Sequence, residues 1–218
     1  ELASATGSLG KSYAAKPSDK ATALKYAQVL QMNGSTDQAL AVMRKLAIEN
    51  PKDRQVLAAY GKALASAGDL EPALDAVRRA QTPEYPDWKL VSAEAAILDQ
   101  LGKSTEARAL YRKALDLKPN DPSILSNLGM SYVLEGDLKT AETYMRSAAQ
   151  QPSADSRVRQ NLALVVGLQG RFEEAEQIAS KELSHEQAKA NVAYLRSMMA
   201  QQNAWSQLKD EDKKKKKN

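Results

Sequence analysis

Residues 57–80, LAAYGKALASAGDLEPALDAVRRA, and residues 125–149, LSNLGMSYVLEGDLKTAETYMRSAA, decide the fold. Each string places a small residue, then a glycine seven positions on, then an alanine five positions further: Gly61, Gly68 and Ala73 in one, Gly129, Gly136 and Ala141 in the other. Working outward, the same marks recur every 34 residues. Glycines stand at Gly34, Gly68, Gly102, Gly136 and Gly170, and alanines at Ala39, Ala73, Ala107, Ala141 and Ala175. The small positions are Ala27, Gly61, Ala95, Gly129 and Ala163. Pro51, Pro83 with Pro86, Pro119 and Pro152 close the units. This is an internal repeat.

Each mark has a physical task. The glycine takes the left-handed conformation that ends a helix, where a Cβ costs about 1–2 kcal/mol. A second helix follows, and the small residues let the two antiparallel helices approach. Ser35 with Gln38, Asp69, Ser104 and Asp137 are expected to cap these second helices. Asp53, Asp87 and Asp121 are expected to cap the first helices, with Pro122 suited to a first turn. Apolar residues recur at three- and four-residue spacing without sustained alternation, so the fold is all-α.

The spacing and residue types resemble the tetratricopeptide repeat. The resemblance implies a right-handed α-solenoid of helix–turn–helix hairpins, with five full repeats over 20–53, 54–87, 88–121, 122–155 and 156–189. Ala5 and Pro17 fall in register before them, making residues 2–15 the second helix of a leading half repeat. Ser197 falls in register after them, within a terminal capping helix over about 185–203 that Ser184 and Gln187 start. Residues 1–205 thus read as one repeat domain and residues 206–218 as a disordered, charged tail.

Composition narrows the function. The chain has 218 residues, a formal net charge of +4 and no Cys. Without Cys there is no disulfide scaffold, thiolate metal site or cysteine nucleophile. Lys213–Lys217 account for the positive excess, so the body is near neutral and a nucleic-acid partner loses its electrostatic basis. No run approaches the ~18 apolar residues of a membrane span. Residues 5–12, ATGSLGKS, satisfy a loose phosphate-loop pattern, but no strand precedes them and the register makes them helical. His185 is the only histidine and has no Cys beside it, so no metal site is expected. Glu173 and Glu174 suit a helix N-terminus, and Glu94 and Asp99 show no convergent partner. No catalytic residues and no cofactor are expected.

In tetratricopeptide arrays the first helices line a concave surface that holds a peptide or a partner's helix. By offset from each glycine, that surface here begins polar, with Lys25, Gln28, Gln31, Lys62, Ser66, Asp99 and Gln100. It becomes apolar later, with Ser126, Asn127, Met130, Val133, Leu134, Gln160, Asn161, Leu164, Leu168, Tyr194 and Met198. Met beside Leu, rimmed by Asn and Gln, suits an adaptable protein-binding face. Asn127 and Asn161, one period apart, can each donate to and accept from a bound backbone. The chaperone-binding subfamily clamps a C-terminal carboxylate with lysines and asparagines, but Ser126 and Met130 occupy positions where Lys and Asn are required.

A narrower resemblance covers about residues 9–205. KYAQVLQMNG (25–34), NLALVVGLQGRFEEAEQIASKEL (161–183) and NVAYLRSMMAQQNAW (191–205) are similar to text of the TadD family of tight-adherence (Flp/Tad) pilus assembly. That implies a lipoprotein on the periplasmic face of the outer membrane, binding a pilus secretin or another secretion component. Membrane attachment would then run through a lipid-bearing cysteine that this chain does not contain. The competing expectation is a cytoplasmic scaffold or co-chaperone-like array with an unrelated client. The uncovered face of Leu2, Leu9 and Tyr13 leaves room for a second copy or for upstream residues.

Overall fold

The protein is described by a computed structural model that covers the backbone of residues 2–84 and 86–215 and the side-chain surroundings of residues 2–84 and 86–201. Helix α1 (Leu2–Ala15) precedes five hairpins. These pair α2 (Lys20–Met32) with α3 (Thr36–Glu49), α4 (Arg54–Ala67) with α5 (Leu70–Ala80), and α6 (Trp88–Gln100) with α7 (Ser104–Leu117). They continue with α8 (Pro122–Leu134) on α9 (Leu138–Ala149) and α10 (Ser156–Leu168) on α11 (Phe172–Ala179). Helix α12 (His185–Lys215) ends the series. The fold is an all-α solenoid of helix hairpins.

The five register glycines all adopt positive φ, between 74° and 85°. The residue after each glycine returns its N–H to a carbonyl five residues back: Ser35 to Leu30, Asp69 to Leu64, Lys103 to Leu98, Asp137 to Tyr132 and Arg171 to Val166. That backbone bond closes the first helix and fixes the turn. At the small positions the helices nearly touch. A Cβ added at Gly61 would lie 2.7 Å from Val77 Cγ2, and one at Gly129 would lie 2.8 Å from Met145 Cγ.

Capping divides by helix type. Asp19, Asp53, Asp87, Asp121 and Asp155 precede the first helices and accept from backbone N–H groups within them. Asp121 accepts from both Ser123 and Ile124, with Pro122 in the first turn. Three expected caps of second helices need correction. Ser35 and Asp69 sit at the cap position but make no side-chain cap bond, and Ser104 lies inside α7, after Lys103. The cap residues Ser35, Asp69 and Lys103 have ψ of 59°, 69° and 51°, and the bonding Asp137 has 72°, so the backbone of the glycine turn does not by itself decide which side chain caps. Asp137 alone of the expected second-helix caps bonds, to Thr140 N–H. Ser184 and Gln187 form the expected reciprocal box: the Gln187 N–H donates to Ser184 Oγ at 3.2 Å and the Ser184 N–H to Gln187 Oε1 at 3.1 Å.

The chain divides into two compact units, Glu1–Pro119 and Asn120–Asn218, where the sequence reading takes 1–205 as one domain. Within the first unit α1 packs on α2, α3 on α4 and α5 on α6. Thr6 accepts from Asn33 Nδ2 at 2.7 Å and the Tyr13 and Tyr26 rings lie 5.4 Å apart, fastening α1 to α2. Within the second unit, Ala141, Met145, Leu162, Val165, Val166, Ala175 and Val192 form one core spanning α9 to α12. Helix α12 continues past residue 203, through part of the segment read as a disordered tail. The sequence after Ser184 contains neither glycine nor proline, so nothing stops it. Residues 216–218 lie outside the described residues, as do the side chains of Lys213–Lys217.

Candidate functional site

Five of the ten expected binding residues converge. Gln160, Leu164, Leu168, Tyr194 and Met198 line a single open cavity of about 380 Å³ between α10 and α12. Ala163, Ala179, Leu183, Asn191, Val192 and Leu195 complete its lining. Helical spacing explains the convergence: Leu164 and Leu168 are one turn apart on α10, as Tyr194 and Met198 are on α12. Tyr194 is 69% exposed and Met198 49%, large apolar side chains left uncovered beside each other. An exposed apolar hollow with amides at its edge is suited to gripping an apolar segment of another molecule.

The remaining expected residues are placed differently. Ser126 is only 1% exposed, so it cannot reach a ligand; it accepts a hydrogen bond from Asn161 Nδ2 at 3.0 Å. That bond turns the half-buried Asn161 amide toward α8. Met130 and Val133 are partly buried against the α9–α12 core, and Asn127 is half-buried outside the cavity. Leu134 is 62% exposed at the end of α8 but does not line the cavity. Gln160 donates from Nε2 to Ser156 Oγ at 3.0 Å.

Six lining residues, Ala163, Ala179, Leu183, Asn191, Val192 and Leu195, were not among the expected binding positions. Leu183 lies in the α11–α12 connection, where no register glycine defines an offset. That connection is held by Arg159, whose guanidinium pairs with Glu182 and also donates to the Ala154 carbonyl at 2.9 Å. The Arg159 hydrogen bond keeps the Glu182 carboxyl below its ordinary range. Leu195 lies within the α12 segment that carries Tyr194 and Met198. Gly167 admits it: a Cβ there would stand 2.6 Å from Leu195 Cδ2. The only signal for Gly167 was a glycine off the 34-residue comb.

Polar groups elsewhere are absorbed structurally. Glu94 is buried and accepts from Arg78 Nε and Gln81 Nε2, both at 2.7 Å, so it does have partners. Asp99 hydrogen-bonds the buried Tyr111 hydroxyl, and burial with this carboxylate pushes the phenol pKa up. In the second unit Glu142 is bracketed by Arg171 at 2.7 Å and Arg146 at 2.6 Å, and both arginines also hold Glu174. Hydrogen bonding from Arg171, then from Gln169 and Arg146, brings the Glu142 pKa down to about 2. His185 Nδ1 lies 3.8 Å from Glu176 Oε1. Among the described residues no three His, Cys, Asp or Glu side chains are grouped to hold a metal ion. Residues 5–12 lie within helix α1, and no described helix is long and apolar enough to cross a membrane.

Comparisons with known proteins bear on the fold. A tetratricopeptide-repeat model matches residues 24–87 and a second TPR-repeat model matches residues 97–136. No curated protein matches the chain. A thermophilic TPR protein of Thermus thermophilus is similar at 22% identity and TM-score 0.70, over 79% of this chain and 96% of that one. A tetratricopeptide repeat protein of Parabacteroides merdae aligns at 17% identity and TM-score 0.66, over 92% of this chain and 80% of its own. The pilF protein of Pseudomonas aeruginosa aligns at 22% identity and TM-score 0.57, over 78% of each chain. These likenesses concern architecture.

Proposed function

We propose that this chain, whose repeats are tetratricopeptide repeats, is a non-catalytic adaptor that holds an apolar segment of a partner protein between α10 and α12. The observation that carries this reading is the cavity in which Leu164, Leu168, Leu183, Tyr194, Leu195 and Met198 meet with no charged side chain among the described lining residues. An aliphatic or aromatic anchor entering it leaves water without stranding a charge, the arrangement found at the centre of protein interfaces. The partner we favour is a component of tight-adherence pilus secretion, with the secretin first. Support for that choice comes from the family resemblance of residues 25–34, 161–183 and 191–205. It carries with it a lipid-anchored protein on the periplasmic face of the outer membrane.

Titration of this chain with an isolated secretin C-terminal segment tests the reading. Saturable binding that Leu168→Glu weakens at least tenfold, with helicity retained, is the expected result. Binding that Leu168→Glu leaves unchanged would move the site off the cavity. No binding, together with an unlipidated native protein in the cytoplasmic fraction, would favour a scaffold with an unrelated client.

A further inference from the structure

In each hairpin one first-helix position lies eleven residues before the glycine and one second-helix position twelve after it. The first four hairpins fill these with Ala23 and Leu46, Leu57 and Ala80, Val91 and Ala114, and Leu125 and Ala148, none more than 7% exposed. The same count in the fifth falls on Arg159 and Glu182, half-buried and joined as an ion pair. Apolar has become charged at both positions together, with opposite signs.

A displaced turn accompanies the exchange. Helices α3, α5, α7 and α9 all run through the second of these positions, whereas α11 ends at Ala179, three residues before Glu182. First helices begin at residues 20, 54, 88, 122 and 156, but α12 begins at His185 and not at residue 190. In the turn between α11 and α12 the Glu182 and Leu183 N–H groups both donate to the Ala179 carbonyl at 3.0 Å. Side chains supply the rest of the hold. Glu182 takes the Arg159 guanidinium and the Ser156 hydroxyl, and Ser156 Oγ accepts from Gln160 Nε2 at 3.0 Å. Both ends of this tie reach the cavity of α10 and α12, since Gln160 and Leu183 line it. Leu183 packs there on Ala163, Ala179 and Ala188.

An ion pair that solvent reaches adds little stability, and apolar side chains at such a site often hold a fold better. Its use here is to place the chain. Resting on the reading of the cavity as the partner site, we infer that Arg159 and Glu182 are its positioning residues: their pair keeps α11 short and seats Leu183 in the lining. Two residues outside the lining thereby set its affinity for an apolar segment. With an apolar pair at 159 and 182, α11 runs on through residue 182 as its predecessors do. The Ser184–Gln187 box then has no room to form, and Leu183 leaves its alanine floor.

The double variant Arg159→Leu with Glu182→Ala, which installs the pair of the second hairpin, tests this in the full chain. It should melt no lower than wild type. Amide hydrogen exchange at residues 180–183 should slow about tenfold as α11 lengthens. Binding of Nile red, a neutral apolar dye, should weaken about fivefold, with Leu168→Glu showing that the dye sits in the cavity. A merely structural pair would move neither readout, and either one left at its wild-type value overturns the inference. Should the double variant lose helicity, Glu182→Gln replaces it. That variant frees the turn, so exchange at 180–183 should instead speed up about tenfold and the dye bind more weakly; wild-type behaviour in either again overturns the inference. A secretin segment that fails to bind while both readouts change as expected removes that partner and leaves the positioning role standing. Dye uptake that Leu168→Glu leaves unchanged defeats the cavity as a binding site, and with it the role assigned to the pair.

Discussion

The two units repeat one backbone and diverge in what their first helices present. In the first, Lys25, Gln28, Lys62, Ser66 and Gln100 are exposed, and Asp99 is occupied by the Tyr111 hydroxyl. In the second, the corresponding faces of α10 and α12 expose Leu164, Tyr194 and Met198 around a hollow. Where α4 meets α5 and α8 meets α9 the seam cannot vary this way, since Gly61 and Gly129 admit no Cβ without displacing Val77 or Met145. Repetition therefore leaves the outer face free to differ, and the apolar hollow of α10 and α12 lies in the second unit.

The sharpest way to break this contrast is at the core of the second unit. Met145→Ala removes a fully buried side chain and should cost about 2–5 kcal/mol. Hydrogen exchange should show the loss concentrated in α8–α12, since stability in such arrays is local; uniform loss across both units would mean that they unfold together. Next, Tyr194→Ala should weaken partner binding by about 1–3 kcal/mol while Lys62→Glu changes it by less than about 0.5 kcal/mol, read by calorimetric titration. Equal effects would erase the distinction between the units.

The carboxylate network sharpens it further. Glu142 is held at about 2 in the fold against an ordinary value of 4.5, so its contribution is full above about pH 4.5 and is lost as pH falls through about 2. Glu142→Gln should remove about 1–2 kcal/mol near neutrality, allowing for the solvent around both guanidiniums, and flatten the acid limb of a stability–pH profile between those values. A variant that keeps the wild-type acid limb would place the titration elsewhere. The smallest effect concerns the turns: Asp137→Ala should cost about 1 kcal/mol and Asp69→Ala only a few tenths, compared by thermal melting. Equal costs would show that Asp69 caps in solution.

The repeat itself was legible because its marks are backbone requirements. Gly34 through Gly170 show positive φ, and the aspartates before α4, α6 and α8 bond as their position demands. Caps after the glycines were less legible: Asp69 and Asp137 share the return bond and nearly the same backbone, yet only Asp137 bonds the helix start. At the candidate site, offsets from the glycine comb found the outward rows of α10 and α12 but not the side chains that arrive from elsewhere. Leu183 comes from a connection outside the period. Ser126 was misjudged because the offset fixes a direction on a helix and not how close the next helix stands: Asn161 closes over it.

One junction has a chemical use. The Asp121–Pro122 bond opens α8, two residues past the division between the units, and is the one Asp–Pro bond in the sequence. Such bonds are the most acid-labile in a polypeptide, because the aspartyl carboxyl attacks its own carbonyl and the prolyl nitrogen leaves readily. In the fold that carboxylate accepts from the Ser123 and Ile124 N–H groups and is held away from the attack. Warm dilute acid, once it loosens the helix start, therefore cuts the chain into its polar-faced and apolar-faced parts, without a protease or an engineered site.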